Sequence, residues 1–237
     1  MRSTVAAGLL VSLAASASGC AKSQPAPCFP VTVPEDVCDP ERASFGLAST
    51  NPYYPLTVGL RVVLEGSDGD ETVRIEREVL PDTEVVAGVE THVLEHREYV
   101  DGELVEVARN FYVEATDGTV CYFGEDVDNY RDGQVADHAG SWRAGENGAR
   151  PGIIMPAAPQ PGDAYYQENA PGVAEDQGEV QGYGTETIGG QSYDDVLTIL
   201  DGNPLDGCDE LEPKKYVPGI GEAADVEAVL VEVSGAP

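Results

Sequence analysis

The sequence has little positive charge. It contains 13 lysines and arginines against 43 aspartates and glutamates in 237 residues, which gives a formal net charge of −30. A surface this acidic repels phosphate groups, so the composition excludes a nucleic-acid-binding protein and excludes membrane contact through a basic patch. The acidic residues are scattered along the chain, and we interpret most of them as a solvated surface.

Long apolar runs are also missing. After the first twenty residues, no stretch reaches the ~20 apolar residues that a membrane-spanning helix requires. The hydrophobic fraction of 41%, with 11 tyrosines, is nevertheless sufficient for a buried core. The length of 237 residues then favours one folded domain.

The first twenty residues resemble a bacterial lipoprotein signal peptide. Arg2 supplies the positive start, residues 4–17 form an apolar run, and Ala17-Ser18-Gly19-Cys20 ends that run with small residues before a cysteine. The resemblance implies cleavage after residue 19 and a lipid anchor on Cys20. An ordinary secretory signal is the alternative. Because Ala21 rather than Asp follows the cysteine, the sorting rule of this family implies the outer membrane or the cell surface of the cell envelope.

Four further cysteines predict two disulfide bonds. Residues 20–50 are rich in Pro, Ser and Ala and predict a tether, followed by a single domain at residues 51–237. Because export places the chain in an oxidising compartment, we expect the cysteines to pair, with Cys28–Cys38 and Cys121–Cys208 favoured. No CxxC spacing indicates a metal or redox site.

Strand and turn patterns alternate from residue 53 onward. Asp101-Gly102 and Asp117-Gly118 each separate two β-rich runs, which is a strong signal for a β-hairpin. No convincing amphipathic helix follows the signal sequence. We therefore predict an all-β fold of about eight to ten strands. The strands are expected to form an antiparallel meander that makes a curved sheet, half-barrel or sandwich, with one long irregular loop.

Three segments of the predicted domain resemble uncharacterised exported β-rich bacterial lipoproteins. They are Tyr54-Pro55-Leu56, residues 190–197 and residues 216–221. Some related architectures resemble the half-barrels of periplasmic lipoprotein carriers. That resemblance implies a concave apolar face able to hold a ligand.

The irregular segment at residues 139–176 is the predicted ligand-binding region. We expect its apolar and aromatic side chains to line a groove for a small apolar or carbohydrate ligand. The alternative is that they fill the core from outside. The candidate binding residues are Trp142, Ile154, Met155, Tyr165 and Tyr166.

A zinc-protease motif is present in sequence but not in a suitable context. His92-Val93-Leu94-Glu95-His96 matches H-x-x-E-H, which binds zinc when it lies on a helix. The surrounding residues predict a strand, where His92 and His96 share one face about 13 Å apart, too far for a single zinc ion. We therefore predict two histidines on the solvent side of a strand.

Calcium is the best candidate metal, and the sequence predicts no other cofactor. Asp126, Asp128 and Asp132 supply hard oxygen ligands in one short stretch, although the spacing of an EF-hand loop is absent. No nucleophile motif or phosphate-binding loop appears, so we name no catalytic residue. The sequence predicts a binding module for a ligand or an envelope protein, and the alternatives are a structural envelope lipoprotein and a hydrolase.

Overall fold

The computed structural model describes residues 25–209, 211–226 and 228–235. The predicted signal peptide and the candidate anchor Cys20 lie outside these residues. The described chain is nearly all β-structure, with one short 3-10 helix at Glu35–Cys38. Fifteen strands form one antiparallel sheet that is open and not closed on itself. The predicted all-β antiparallel fold is confirmed, with more strands than expected.

The strands are numbered in chain order. They are β1 (Phe45–Gly46), β2 (Arg61–Asp68), β3 (Glu71–Val86), β4 (Val89–Val100), β5 (Glu103–Ala115), β6 (Val120–Arg131), β7 (Gln134–Asp137), β8 (Trp142–Arg143), β9 (Gly152–Met155), β10 (Ala164–Tyr166), β11 (Gln177–Ile188), β12 (Gln191–Gly202), β13 (Glu212–Val217), β14 (Gly221–Asp225) and β15 (Ala228–Ser234).

The sheet consists of two meanders joined by one pairing. Strands β2 to β7 follow one another in space as in sequence, and so do β10 to β15. The pairing of β15 with β2 joins the two sets, while β1 pairs with β5 and both β8 and β9 pair with β6. Ten of the fourteen connections between the described strands therefore join neighbours in the sheet, as the turn signals predict.

The turn at Asp101-Gly102 shows why the hairpin signal is reliable. Both residues have positive φ, 50° and 81°, which a two-residue hairpin turn requires and which Gly and Asp tolerate better than most residues. The turn joins β4 to β5 at the predicted position.

An apolar cluster lies where the second meander meets the first. It contains ten buried residues: Leu60, Val62, Leu64, Ile75, Ile188, Val196, Val217, Ala223, Ala228 and Leu230. Gly189, at the turn between β11 and β12, approaches β15 so closely that a Cβ would lie 2.0 Å from the carbonyl oxygen of Leu230. The close approach requires glycine and lets the tip of this hairpin pack on β15.

The two disulfide bonds join Cys28 to Cys208 and Cys38 to Cys121. The presence of two disulfides is confirmed, but the favoured pairing was wrong. Proximity in the chain was a poor guide because the segment before β1 packs on the sheet. It brings Cys38 to strand β6 and Cys28 to the β12–β13 loop.

The described part of the predicted tether makes direct hydrogen bonds to the domain. The amides of Thr32 and Val33 donate to the carbonyl oxygen of Ala164 over 2.8 and 3.1 Å. The amide of Cys28 donates to Oε1 of Gln177 over 2.6 Å. Residues 25–50 therefore lie against the sheet over much of their length.

Candidate binding cavity

The sheet curves around a cavity of about 500 Å³. Strands β3 to β6 form one side of it, strands β12 to β14 form another, and the loops after β10 and β12 complete the lining. A cavity of this size is typical of a small-molecule site. Eight carboxylate side chains line it: Glu106, Glu125, Glu168, Asp176, Asp201, Asp206, Glu212 and Glu222. Arg77 and Lys214 are the two cations in the lining.

Four tyrosine rings pack side by side along the cavity. The ring centroids of Tyr54 and Tyr112 are 5.1 Å apart, those of Tyr112 and Tyr122 are 4.5 Å apart, and those of Tyr54 and Tyr216 are 6.4 Å apart. The Tyr122 hydroxyl donates to Oδ1 of Asn110 over 2.5 Å. Burial raises the pKa of Tyr112, Tyr122 and Tyr216 well above 10, so these hydroxyls stay neutral.

One wall carries both signs of charge, and we name it the paired cluster. Its members are Arg77 of β3, His96 of β4, Asp201 of β12, Lys214 of β13, and Glu222 and Asp225 of β14. The β13–β14 hairpin places Lys214 directly opposite Asp225. Five strands thus contribute charged or imidazole groups to one small volume.

The cations of the paired cluster hold buried carboxylates. Arg77 pairs with Glu222 and lies 3.8 Å from Asp225. Nζ of Lys214 lies 3.5 Å from Asp201 and 3.6 Å from Asp225. Burial disfavours the charged form of Asp225, but Lys214 and Arg77 outweigh burial and lower its pKa below the ordinary value.

Burial dominates at two other carboxylates of this cluster. It raises the pKa of Asp201 to about 7, although Lys214 opposes the shift, and Nε2 of Gln167 donates to Oδ1 of Asp201 over 3.0 Å. Burial also raises the pKa of Glu222 despite its contact with Arg77. The Oε1 atom of Glu222 is buried and has no hydrogen-bond partner within the described chain.

The paired cluster also determines the charge and the tautomer of His96. Nε of Arg77 donates to Nδ1 of His96 over 3.2 Å, so Nδ1 acts as the acceptor. Burial, together with Arg77 and Lys214, lowers the pKa of His96 to about 3. The imidazole is therefore neutral near pH 7, and the hydrogen bond assigns its proton to Nε2.

A second group of acidic residues has no cation, and we name it the carboxylate cluster. It consists of Glu125 of β6 together with Glu168 and Asp176 of the β10–β11 loop. The amides of Gln167 and Glu168 donate to the carbonyl oxygen of Asp176 over 2.8 and 3.2 Å, which ties both ends of that loop together. In residues 25–209, 211–226 and 228–235, no lysine or arginine forms an ion pair with any of the three carboxylates.

Because no cation pairs with them in the described chain, Glu125 and Glu168 of the carboxylate cluster are protonated more readily than ordinary carboxylates. Burial raises the pKa of Glu125 to about 7, and the charges of Glu106 and Asp176 add to the shift. Burial also raises the pKa of Glu168 well above its ordinary value, with Asp176 and Glu125 adding to the effect. These side chains keep some water-accessible surface because they face the cavity, yet the surrounding protein still limits their hydration.

The residues predicted to bind a ligand are divided between cavity and core. Ile154 borders the cavity. Met155 and Tyr165 are fully buried, and Trp142 packs edge-on against Tyr122 with 5.2 Å between ring centroids. Tyr166 is half-buried in β10. The structure thus brings one of the five to the cavity, and three of the others pack in the hydrophobic core.

The two histidines of the H-x-x-E-H sequence lie on β4, as the strand prediction requires. The expectation that they face solvent was wrong. His92 is buried, with Nε2 3.0 Å from the carbonyl oxygen of Leu47, and His96 borders the cavity. Side chains alternate along a strand, so the two histidines share a face with Leu94. Leu94 and His96 both border the cavity, so this face is the concave one.

The three aspartates proposed as calcium ligands lie near β6. Asp126 pairs with Arg143 at 2.6 Å, and Asp128 lies 3.5 Å from Arg109 and 3.0 Å from His138. Asp132 is at the turn that ends β6, with φ of 53°. Over the described part of the chain, no three His, Cys, Asp or Glu residues come together in a way that could hold a metal ion.

Arg77 and Lys214 are the important residues that the sequence reasoning missed. One signal was available for Arg77: it lies between Ile75 and Val79 on the alternating pattern of β3, and both of these neighbours are buried. A cation flanked by two inward-facing apolar residues of a strand also faces inward. Lys214 belongs to a chain with only three lysines, but nothing local marks its position.

Comparisons with models of protein families, with curated proteins and with solved structures found no match. None of the helical structure that is described has the length and apolar character needed to cross a membrane.

Proposed function

We propose that this protein is a lipid-anchored extracytoplasmic binding module whose cavity holds a small cationic ligand. The carboxylate cluster carries the proposal: Glu125, Glu168 and Asp176 border a cavity and have no cation among the described residues. A ligand ammonium placed there would supply the missing charge and favour the ionised carboxylates.

The charge of the whole lining supports a cation. Eight carboxylates against two cations produce a negative potential, and the poorly hydrated walls strengthen it. The tyrosine row supplies aromatic surface beside this charge, and aromatic faces also attract cations. The largely polar lining favours a polar ligand over the apolar one predicted from the irregular segment.

The cavity also supports binding over a purely structural role. Charged side chains with limited hydration cost stability, so their concentration around one cavity favours a role in binding. No nucleophile motif adds to the carboxylates, so we propose no catalytic step.

The location of the protein is part of the proposal. Two disulfides are typical of an oxidising compartment, which supports export. Labelling with a radioactive fatty acid in the native host is expected to mark the wild type and leave Cys20→Ala unlabelled. Label of equal strength on the variant would contradict the anchor.

Titration calorimetry tests the binding proposal. Cyclohexylamine serves as the cationic probe, and cyclohexanol serves as its uncharged match. We expect the amine to bind at least tenfold more tightly, and we expect the double variant Glu125→Gln, Glu168→Gln to lose this preference. Glu71→Gln removes an exposed carboxylate at the start of β3 and is the matched control. Equal binding of amine and alcohol by the wild type would refute the proposal.

A further inference from the structure

The paired cluster has hydrogen-bonding capacity that its own residues do not use. Nζ of Lys214 has its nearest carboxylate oxygens at 3.5 and 3.6 Å, longer than an ordinary charge-assisted hydrogen bond. An ammonium has three N–H donors, and this one borders the cavity. Lys214 can therefore donate to a ligand atom without leaving its ion pairs.

His96 adds a second donor on the same wall. Its Nδ1 is occupied by Nε of Arg77, which leaves the proton on Nε2. No described residue accepts a hydrogen bond from that Nε2, and His96 borders the cavity. Arg77 contacts both His96 and Asp225, and Lys214 also contacts Asp225, so the two donors belong to one part of the wall.

Glu222 contributes negative charge to this wall rather than a contact to the ligand. Its side chain is only 5% exposed and borders the cavity. Oε2 of Glu222 contacts Arg77, whereas Oε1 is buried with no partner in the described chain. Because Oε1 has no accessible surface, a ligand in the cavity contacts the donors of Lys214 and His96 rather than this oxygen.

A hydroxyl group fits a wall that offers two donors, because a hydroxyl oxygen accepts two hydrogen bonds. An anionic group fits poorly, because Asp201, Glu222 and Asp225 would repel it. A purely apolar group would leave both donors unpaired.

We propose that the ligand is a small hydroxylated amine, with its ammonium at the carboxylate cluster and a hydroxyl at Lys214 and His96. This inference rests on the proposed function, since it takes the cationic end from there and adds the second contact. It narrows the ligand class from any small cation to an amine that also carries a hydroxyl group.

Four probes on one ring test the inference with the unmodified protein. They are cyclohexylamine, trans-4-aminocyclohexanol, trans-4-aminocyclohexanecarboxylic acid and 1,4-cyclohexanediol. By titration calorimetry we expect aminocyclohexanol to bind about tenfold more tightly than cyclohexylamine, and both to bind more tightly than the amino acid and the diol.

Each other result has a separate meaning. Equal binding of cyclohexylamine and aminocyclohexanol overturns the hydroxylated class and leaves the cationic site intact. Tightest binding of the amino acid overturns it in favour of a zwitterionic ligand. Tightest binding of the diol, or no binding of either simple amine, overturns the proposed function and this inference together.

A variant pair locates the second contact. Lys214→Met removes the donor, so we expect aminocyclohexanol to lose its tenfold advantage while cyclohexylamine binds as before or more tightly. Lys214→Arg keeps donors on the wall and is the matched control, expected to retain a preference for the hydroxylated amine. A full preference in folded Lys214→Met would contradict the contact, and the probe series on the wild type decides the question if this variant does not fold.

Discussion

The paired cluster and the carboxylate cluster differ in what compensates the charge of their carboxylates. Both place carboxylates where protein limits their hydration. In the paired cluster, Arg77 and Lys214 compensate Asp225 strongly enough to keep its pKa below the ordinary value. In the carboxylate cluster no such cation is present, and the pKa values of Glu125 and Glu168 rise instead. The paired cluster therefore keeps one carboxylate, Asp225, ionised with its own cations, whereas the carboxylate cluster depends on protons or on a ligand.

Removing the central cation is expected to have the largest effect on this comparison. Arg77→Met leaves Glu222 and Asp225 without their guanidinium partner, so we expect the free energy of unfolding to fall by about 3–5 kcal/mol. Urea unfolding of the purified protein measures the change. Arg42→Met removes an arginine whose side chain is 70% exposed and is expected to change stability little. A similar small change in both variants would show that the paired cluster is not compensated as described.

The pH dependence of stability has opposite signs for Glu125 and Asp225. Glu125 has a raised pKa in the folded state, so its contribution to stability is present at low pH and is lost as the pH rises from about 4.5 through about 7. Asp225 has a lowered pKa, so its contribution is lost as the pH falls below its ordinary range.

The free energy of unfolding of the wild type should fall between about pH 5 and about pH 8. We expect this fall to be smaller by about 2–3 kcal/mol in Glu125→Gln. Urea unfolding at the two pH values, with Glu71→Gln as control, gives the difference. An unchanged pH dependence in Glu125→Gln would mean that this carboxyl ionises freely in the folded protein.

Ligand binding is expected to follow the ionisation of the carboxylate cluster. A cationic probe binds the charged form, so the affinity for cyclohexylamine should rise about tenfold as the pH passes through about 7. Calorimetry over that range measures the rise, and Glu125→Gln should flatten it. A rise of the same size in Glu125→Gln would assign the titration to another group, with Asp201 the first to examine.

The smallest expected effect concerns His96, which should not titrate near neutral pH. His96 should remain neutral from about pH 8 down to about pH 4, with its proton on Nε2, since burial and Arg77 lower its pKa to about 3. Nitrogen-15 NMR of the imidazole reports both charge and tautomer. A midpoint near the ordinary value of about 6.5 would show that the paired cluster does not act on this histidine.

The strands could be predicted from sequence because the relevant signals are local. The turn at Asp101-Gly102 and the alternation within β4 depend on residues close in the chain, and both occur where they were expected. The cavity could not be predicted in the same way, because its paired cluster combines residues of β3, β4, β12, β13 and β14. No local pattern reports which distant strands meet.

The irregular segment illustrates a second limit. Apolar residues such as Met155 and Tyr165 were expected at a binding site because they interrupt a loop rich in Gly and Pro. They are buried because apolar side chains fill the core wherever the chain passes over it. Residues 168 and 176 of the same segment are acidic and reach the cavity, a distinction that composition alone does not make.

The disulfide between Cys28 and Cys208 closes a covalent ring over a sequence separation of 180 residues. Twelve of the fifteen strands lie inside that ring. A protease that cuts the backbone once anywhere within it therefore releases no fragment, and the two pieces stay joined until the bond is reduced. Gel electrophoresis of a nicked sample would show one band without reducing agent and two bands with it.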